Sequence, residues 1–417
     1  MSIWNKKLAA VCRVLFLLLL LCPINRINTK IMKNPNFLAI FVVAVFALCS
    51  CNSCSKSDEP VNKPENENPV DSVPSQVPVD SVPSQEPVVT TAFVKGADLG
   101  WVTEMEADGV TFYDADGKAT ECFALMKQLG MNAVRLRVWV NPEKEYCNYC
   151  NLPDVLVKAR RAKTLGMDVM IDFHYSDWFA DPSRQLIPSA WEGKTLAGVK
   201  EAMVAHTKEV LEALKSEGII PRWVQVGNET RNGMLHPHGQ LWDNNGNIEN
   251  GWQNYVALSN ASYDAVKEVA PETQVIVHID NAWDNNEWWF NQFKALGGKM
   301  DIIGLSHYPQ TTSKTWQEMN NLALNHINKW AKAYGKPVMV CEVGVKSEAD
   351  EALAATVLTD FLTRAKKLEH CLGVFYWEPQ EYGWWKPAIY EKLGWDAYNM
   401  GAFTMEGRPA AAMKAFE

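Results

Sequence analysis

From Phe93 onward, short β-branched or apolar runs alternate with amphipathic stretches of helical period, eight times over. This alternation constrains the fold more than any other feature. Each run has strand length, and each following stretch is long enough to carry the chain back across a sheet, the pattern of βα units with parallel strands. The predicted strands are Phe93–Ala97, Ala133–Val138, Asp168–Phe173, Trp223–Val226, Val275–Ile279, Ile302–Ser306, Val338–Cys341 and Gly373–Tyr376. Helices are predicted over Ala119–Leu129, Pro153–Leu165, Leu196–Ser216, Trp252–Val269, Thr315–Tyr334 and Glu348–Leu368. Gly130, Gly166, Gly218 and Gly335 follow four of them, as helix stops. The fold class this implies is α/β, a (β/α)8 or TIM barrel. A chain of 417 residues has room for more than one domain, but no second boundary appears after residue 92, and one barrel fits the length.

The region before the barrel reads as an address and a tether. Residues 36–48 are an apolar run behind Lys33, too short to span a bilayer and the length of a signal-peptide core. The run ends in Leu48-Cys49-Ser50-Cys51, which resembles a bacterial lipobox with a small residue before Cys51. Lipidation is therefore expected on Cys51. An earlier apolar run, Val14–Leu21, precedes Met32, and Met32 is the expected initiator. In residues 55–91, Val70-Asp-Ser-Val-Pro-Ser-Gln-Val-Pro78 recurs almost unchanged as Val79-Asp-Ser-Val-Pro-Ser-Gln-Glu-Pro87. Regular Pro with no apolar face makes a semi-stiff extended spacer. The expected organisation is a signal region over 1–50, a lipidated Cys and linker over 51–92, and the barrel over 93–417. The expected location is outside the cell, as a lipoprotein on a bacterial outer membrane facing the surface.

Composition narrows the partners. The net charge is −9 and no Lys/Arg-rich stretch exists, so nucleic acid is excluded as a partner, because phosphate binding needs a basic patch. Seventeen tryptophans, sixteen of them beyond residue 90, stand out. A Trp face packs cores, but it also stacks on the C–H face of a sugar ring. Ten cysteines do not make a disulfide framework: Cys12, Cys22, Cys49, Cys51 and Cys54 lie in or beside the N-terminal apolar segments, which leaves five in the barrel. Cys147-Asn-Tyr-Cys150 lacks the second pair or the His of a zinc site and reads as a loop pair.

In such barrels reacting groups come from the C-terminal ends of the strands. Just past the predicted strands stand Asp98, Trp139, His174-Tyr175, Asn228-Glu229, Asp280, His307-Tyr308, Glu342 and Trp377-Glu378. A list so rich in carboxylates, His and aromatics reads as an active-site rim. One strand-end Glu alone would more often be a surface salt bridge. Glu229 after strand 4 and Glu342 after strand 7 would face each other across the barrel mouth, and glycosidic hydrolysis needs such a pair, one carboxyl to protonate the leaving oxygen and one near the anomeric carbon.

Gly227-Asn228-Glu229 and Cys341-Glu342-Val343-Gly344 resemble the retaining glycosidase clan with acid/base on strand 4 and nucleophile on strand 7. Five further segments resemble the arabinogalactan endo-β-1,4-galactanase family. They are Lys95-Gly-Ala-Asp98, Asn132-Ala-Val-Arg-Leu-Arg-Val-Trp-Val-Asn-Pro142, Asp172-Phe-His-Tyr-Ser-Asp177 with Ala180-Asp-Pro182, Gly304-Leu-Ser-His-Tyr-Pro309, and Tyr376-Trp-Glu-Pro379. The resemblance implies retaining cleavage of β-1,4-galactan, with Glu229 as acid/base and Glu342 as nucleophile. It implies Asn228 on the 2-hydroxyl and Arg135, or Arg137 on the same face, beside the nucleophile. His174 and Tyr308 would contact the sugar or Glu342 and Trp377 would floor the site, with Asp98, Asp177, Trp178, Asp280 and His307 as further substrate contacts. The chain departs from the family pattern at Trp178-Phe179, where a residue followed by Trp is usual, and at His236 and His307, which stand where aromatic residues are common. Some members bind calcium in a long loop after strand 7; here Val343–Asp350 passes quickly toward a helix, so no metal or other cofactor is indicated. The expected partners are galactan and galacto-oligosaccharides, met by a monomer that touches the membrane through its lipid alone, with Trp139, Trp178, Trp377, Trp384 and Trp385 along an open groove suited to endo cleavage.

Three rivals compete. A metal-dependent hydrolase would use His174, His278 and His307, but strand 1 ends Gly96-Ala97-Asp98 without the H-x-H that usually opens such a site. A non-catalytic glycan-binding lipoprotein has no need of paired Glu at strands 4 and 7. A β-mannanase or cellulase of the same clan would share the carboxylates and differ in its sugar contacts.

Overall fold

The computed structural model describes residues 92–309, 313–346, 350–383 and 385–417. The expected signal, Cys51, the linker and Trp384 lie outside the described residues. Eight parallel strands close into a barrel in sequence order, β1 bonding to both β2 and β8. They are β1 (Val94–Asp98), β2 (Ala133–Val138), β3 (Asp168–Phe173), β4 (Trp223–Val226), β5 (Gln274–Ile279), β6 (Ile302–His307), β7 (Val338–Val343) and β8 (Cys371–Trp377). Strands 2, 3 and 4 match the sequence reading residue for residue. The ends of β1, β6, β7 and β8 run one or two residues further, so Asp98, His307, Glu342 and Trp377 belong to the strands themselves.

The helices are α1 (Val102–Ala107), α2 (Cys122–Gln128), α3 (Leu152–Thr164), α4 (Leu196–Ser216), α5 (Gly251–Val269), α6 (Glu287–Ala295), α7 (Trp316–Tyr334), α8 (Glu351–Ala365) and α9 (Ala388–Leu393). Local chemistry sets their ends. Thr315 and Glu318 form a reciprocal capping box at the start of α7, and Gly335 ends it in the left-handed region at φ 64°. Helix α2 starts three residues later than predicted because the Glu121 carboxylate caps the N–H groups of Phe123 and Ala124. Helix α6 was not among the predicted segments; at nine residues it is too short to show much periodicity. Between β4 and α5 lie two small antiparallel hairpins, Gly233–Met234 with Gly239–Gln240 and Trp242–Asp243 with Gly246–Asn247. Among the described residues no helix is long and apolar enough to cross a membrane.

Strand alternation sorts the side chains. Val94, Ala133, Met170, Trp223, Ile276, Ile302, Met339, Cys341 and Phe375 pack together inside the barrel. Two residues further along β2, β3, β4 and β5, and four further along β1 and β6, the same inward face turns polar: Arg135, Asp172, Gln225, His278, Asp98 and Ser306 are all buried. The barrel thus carries a plug of apolar side chains under a layer of charge and amide, and the mouth lies above that layer. The outward faces of the strands, with Val134, Leu136, Ile171, Val224, Val277 and Ile303, pack with the helices in a second, larger core.

Candidate active site

One residue on β7 breaks the alternation. Met339 and Cys341 both point into the barrel, so a regular strand would send Glu342 outward. The register with β6 slips between Leu305 and Ser306, so that Leu305 pairs with Val340 and Ser306 with Glu342; the register with β8 slips between Val340 and Val343. The extra residue is a β-bulge, which re-aims a side chain at a barrel rim. It turns Glu342 into the mouth directly after inward-facing Cys341.

On β4 the device is a backbone turn. Gly227 has φ 92°, and a Cβ there would meet Thr230 Cγ2 at 2.6 Å. Glu229 follows in the left-handed region at φ 46°, ψ 51°. A non-glycine residue held there costs about 1–3 kcal/mol and persists only where its surroundings enforce it. Here they do: the Glu229 N–H donates to His278 Nδ1 at 3.3 Å, and the Thr230 hydroxyl donates to the His278 carbonyl at 3.1 Å. One oxygen of Glu229, one of Glu342 and a nitrogen of His278 all lie within 4.8 Å of one another.

The two carboxyls sit in different company. Glu342 Oε1 faces Arg135 Nη2 at 2.9 Å, and its Oε2 accepts the Tyr308 hydroxyl at 2.8 Å. Glu229 has the Ser306 hydroxyl for support, with Glu342 and Asp280 as negative neighbours. Burial pushes both carboxyls above the ordinary range; Arg135 and Tyr308 pull Glu342 back, whereas the neighbouring negative charges push Glu229 further up. Two carboxylates this close cannot both ionise readily. The shared proton therefore belongs to Glu229 and the charge to Glu342.

Arg135 is the hub beneath them. Fully buried, it binds Asp98, Asp172 (2.8 Å), Glu342, the Asn228 Oδ1 (2.7 Å) and the Gln225 amide oxygen (3.2 Å). Burial alone would raise Asp172, but Arg135 and His174 hold it below the ordinary carboxylate range. His174 accepts the Ala180 N–H at Nδ1 (2.9 Å), which leaves its Nε2 proton for Asp172 at 3.0 Å. Asn228 is pinned at both ends of its amide, the Nδ2 donating to the Ala180 carbonyl at 2.8 Å. His278 is held neutral by burial and by Arg135, with Nε2 2.9 Å from the Ser306 oxygen. Glu229, His278 and Glu342 are the one donor cluster of metal-binding size among the described residues. Both carboxyl oxygens of Glu342 and both ring nitrogens of His278 already have partners, and a guanidinium abuts Glu342, so the donor set fits a proton-transfer pair better than a metal.

A pocket of about 340 Å³ opens above this layer, lined by Glu229, Glu342, Asn228, His174, Tyr308 and Trp377, and also by Phe179, Trp395 and Tyr398. A model of glycosyl hydrolase family 53 matches residues 94–416. The chain belongs to this family and is a glycoside hydrolase. An arabinogalactan endo-β-1,4-galactanase of Cellvibrio japonicus is 36% identical over 319 residues, covering 69% of this chain and 81% of that protein. The family 53 catalytic domain of Ignisphaera aggregans superimposes with a TM-score of 0.68 at 27% identity, covering 79% of this chain and 97% of that one. A structure from a study of two fungal β-1,4-galactanases gives a TM-score of 0.65 at 27% identity over 78% of this chain and 98% of its own.

Within this family 53 barrel, several residues expected at the sugar lie elsewhere. Arg137 and Asp98 sit below the pocket: Arg137 pairs with Glu378 and Asp98 and lies under the rings of Trp101, Phe179 and Trp377. The choice left open between the two arginines falls on Arg135, because Arg137 stands one pleat further along β2 and meets Glu378, just past β8, instead. Asp177 ties loops together, accepting the N–H groups of Asn141 (2.9 Å) and Ser189 (2.8 Å). Trp178 is buried against Trp139 and Tyr146, and Trp139 is buried with it, so neither lines a groove. Phe179, next in the chain, takes the place at the pocket. His307 points outward: its Nε2 meets Asn320 of α7 at 2.8 Å and its ring lies over Phe361, because alternation sends Ser306 inward and His307 to the helices. Asp280 neighbours Glu229 but is held by Arg231 at 2.9 Å. Trp385 is half-buried, its indole donating to Asp108 at 3.0 Å. The Cys147 and Cys150 thiols are free.

The sequence reading missed Asp172, Ser306, Phe179, Trp395 and Tyr398. Asp172 and Ser306 were accessible by stepping back two residues from His174 and Tyr308. Trp395 and Tyr398 come from the segment after α9, where no strand or helix period marks a direction.

Proposed function

We propose that the chain is a retaining endo-β-1,4-galactanase, working as a monomer outside the cell on the neutral side chains of plant galactan and held to the membrane through lipid on Cys51. The observation that carries the mechanism is the approach of Glu229 and Glu342 oxygens to within 4.8 Å. Retaining enzymes hold their carboxyls about 5–5.5 Å apart, and inverting ones need about 6.5–9.5 Å to admit water. In this reading Glu342 attacks the anomeric carbon while Glu229 protonates the departing oxygen. Glu229, now ionised, then takes a proton from the water that releases the sugar from Glu342. Asn228 has a second Nδ2 hydrogen for the 2-hydroxyl, and Trp377 and Phe179 offer apolar faces to the ring. The name of the Cellvibrio japonicus relative supports galactan as the polymer.

The test is hydrolysis of β-1,4-galactan, mannan and cellulose, followed by reducing ends, viscosity and the anomer first released in NMR. Galactan cut to short oligosaccharides, with early thinning and β-anomers first, is expected. Preference for mannan or cellulose overturns the substrate, galactose as the sole early product overturns endo action, and initial α-anomers overturn retention.

A further inference from the structure

The connection after β4 builds a second tryptophan cleft. Trp242 on the outer hairpin, Trp252 in the first turn of α5 and Trp288 in the first turn of α6 enclose about 650 Å³ together with Asn247 and Gln292. None of the five lines the pocket above Glu229 and Glu342. Trp288 is 49% exposed, a poor use of an indole unless something covers it. The rings are splayed: Trp288 meets Trp242 at 5.8 Å and 55°, and Trp252 at 6.3 Å and 87°. Their faces are therefore not consumed by stacking on one another. The described lining holds two amides and no charged side chain. Indole faces flanked by amides suit a neutral sugar, whose C–H face stacks while its hydroxyls find donors and acceptors.

The cleft is fastened to the turn that carries Glu229. The Asn232 side chain accepts the Trp242 N–H at 3.0 Å and donates to the Trp242 carbonyl at 3.1 Å. Trp289, beside Trp288, donates its indole N–H to the Arg231 carbonyl at 2.9 Å. Arg231 and Asn232 belong to the short turn immediately after Glu229. The tryptophans are thus held on a fixed base beside the acid/base.

We propose that this cleft is a second, non-catalytic binding site for β-1,4-galactan, reached by the polymer and not by short oligosaccharides. The inference rests on the galactanase reading above. Trp288→Ala removes the exposed platform, and Trp288→Phe restores an aromatic face. Both are compared with wild type on high-molecular-weight galactan and on a chromogenic oligosaccharide just long enough to be cut. For Trp288→Ala, KM on the polymer is expected to rise about tenfold with kcat and oligosaccharide kinetics unchanged, the loss of one stacking contact; Trp288→Phe recovers most of it. Affinity electrophoresis in galactan, with Glu342→Gln as background, should show the same loss of retardation. Unchanged polymer KM overturns the site, and so does an equal loss on both substrates, which would place Trp288 in support of the Glu229 turn. A dimer that dissociates on Trp288→Ala overturns it in favour of a second copy as occupant. A wild-type enzyme inactive on galactan but active on another glycan brings down the substrate reading itself, a result distinguishable from the others.

Discussion

Replacing Tyr308 by Phe deletes one oxygen and leaves the pocket wall standing. That oxygen donates to Glu342 Oε2 at 2.8 Å while Arg135 keeps Oε1 at 2.9 Å. A hydrogen bond to an ionised group contributes about 1.5–3 kcal/mol, and one pKa unit corresponds to about 1.4 kcal/mol. Losing the bond should therefore raise the first ionisation of the Glu229–Glu342 pair by about one to two units, nearer one because the open pocket lets water take over the vacated position. The sign follows from the roles. In the proposed mechanism Glu342 must be ionised to attack and Glu229 protonated to donate, so kcat/KM is expected to be bell-shaped, with the acid limb belonging to the first proton lost by the pair and the alkaline limb to the second. Destabilising the Glu342 anion moves the acid limb to higher pH and leaves the alkaline limb nearly in place, narrowing the bell from the acid side. The assay is kcat/KM on galactan across the pH range for both proteins. An acid limb that stays put, or moves to lower pH, refutes the claim that Tyr308 stabilises the Glu342 charge. A uniform drop at every pH would make Tyr308 a sugar contact only.

Glu229→Gln and Glu342→Gln should each cut hydrolysis by more than about a hundredfold with the circular dichroism spectrum unchanged; a rate within about tenfold of wild type for either removes it from the reaction. An activated fluoro-sugar should label Glu342 alone, read by peptide mass. Arg135→Met leaves Asp172 buried without its guanidinium, and Asp98 with only the longer Arg137 contact at 3.5 Å, and should destabilise the fold by about 3–5 kcal/mol in urea denaturation; a loss below about 1 kcal/mol would mean that Arg137 takes over the pairing. Burial pushes His307 down to about 4. Between its unfolded value near 6.5 and that point the unfolded chain binds a proton the folded chain refuses, so this His costs stability as pH falls, and the stability of wild type relative to His307→Gln should shrink by up to about 3 kcal/mol over that window. A constant difference would show that His307 titrates normally. Cys51→Ala should move the protein from the membrane to the aqueous fraction; unchanged retention would indicate an uncleaved apolar anchor.

The barrel and the acid pair were legible because each leaves a local trace. Strand length, β-branching and the glycines that end the preceding helices marked β2, β3 and β4 to the residue, and carboxylates at strand ends stand out against apolar runs. What depends on height and direction across the barrel was not legible. Arg135 and Arg137 share a face, and only the tilt and stagger of β2 decide which of them reaches Glu342 and which reaches Glu378. His307 and Tyr308 were both read into the rim, yet adjacent strand residues cannot both face inward without a bulge, and here His307 lies among helices. The same rule applied to Trp178 and Phe179 would have asked which ring meets the sugar. In a loop no period answers that question, and packing with Trp139 and Tyr146 does.

The β7 bulge shows why the two catalytic candidates, chemically identical, end with different protons. A regular β7 would have aimed Glu342 at the helices, away from Arg135 and Tyr308, and no choice of residue type at position 342 corrects a side chain pointing the wrong way. The extra residue turns Glu342 inward beside Ser306 of β6, where Arg135 of β2 and Tyr308, just past β6, converge on its two oxygens. Glu229 arrives by a different route, a left-handed turn after β4, and its backbone N–H rather than its carboxyl takes the His278 contact. Its carboxyl is left with Ser306 and the negative neighbours Glu342, Asp280 and Asp181. The asymmetry of the pair is thus set by backbone, a bulge on one side and a strained turn on the other. Only a closed barrel can make such a pair share a pocket, since β4 and β7 are separated by β5 and β6 in the sheet order and meet across the interior. Closure, rather than any one motif, brings two strand-end glutamates together in the arrangement that the proposed acid and nucleophile roles require.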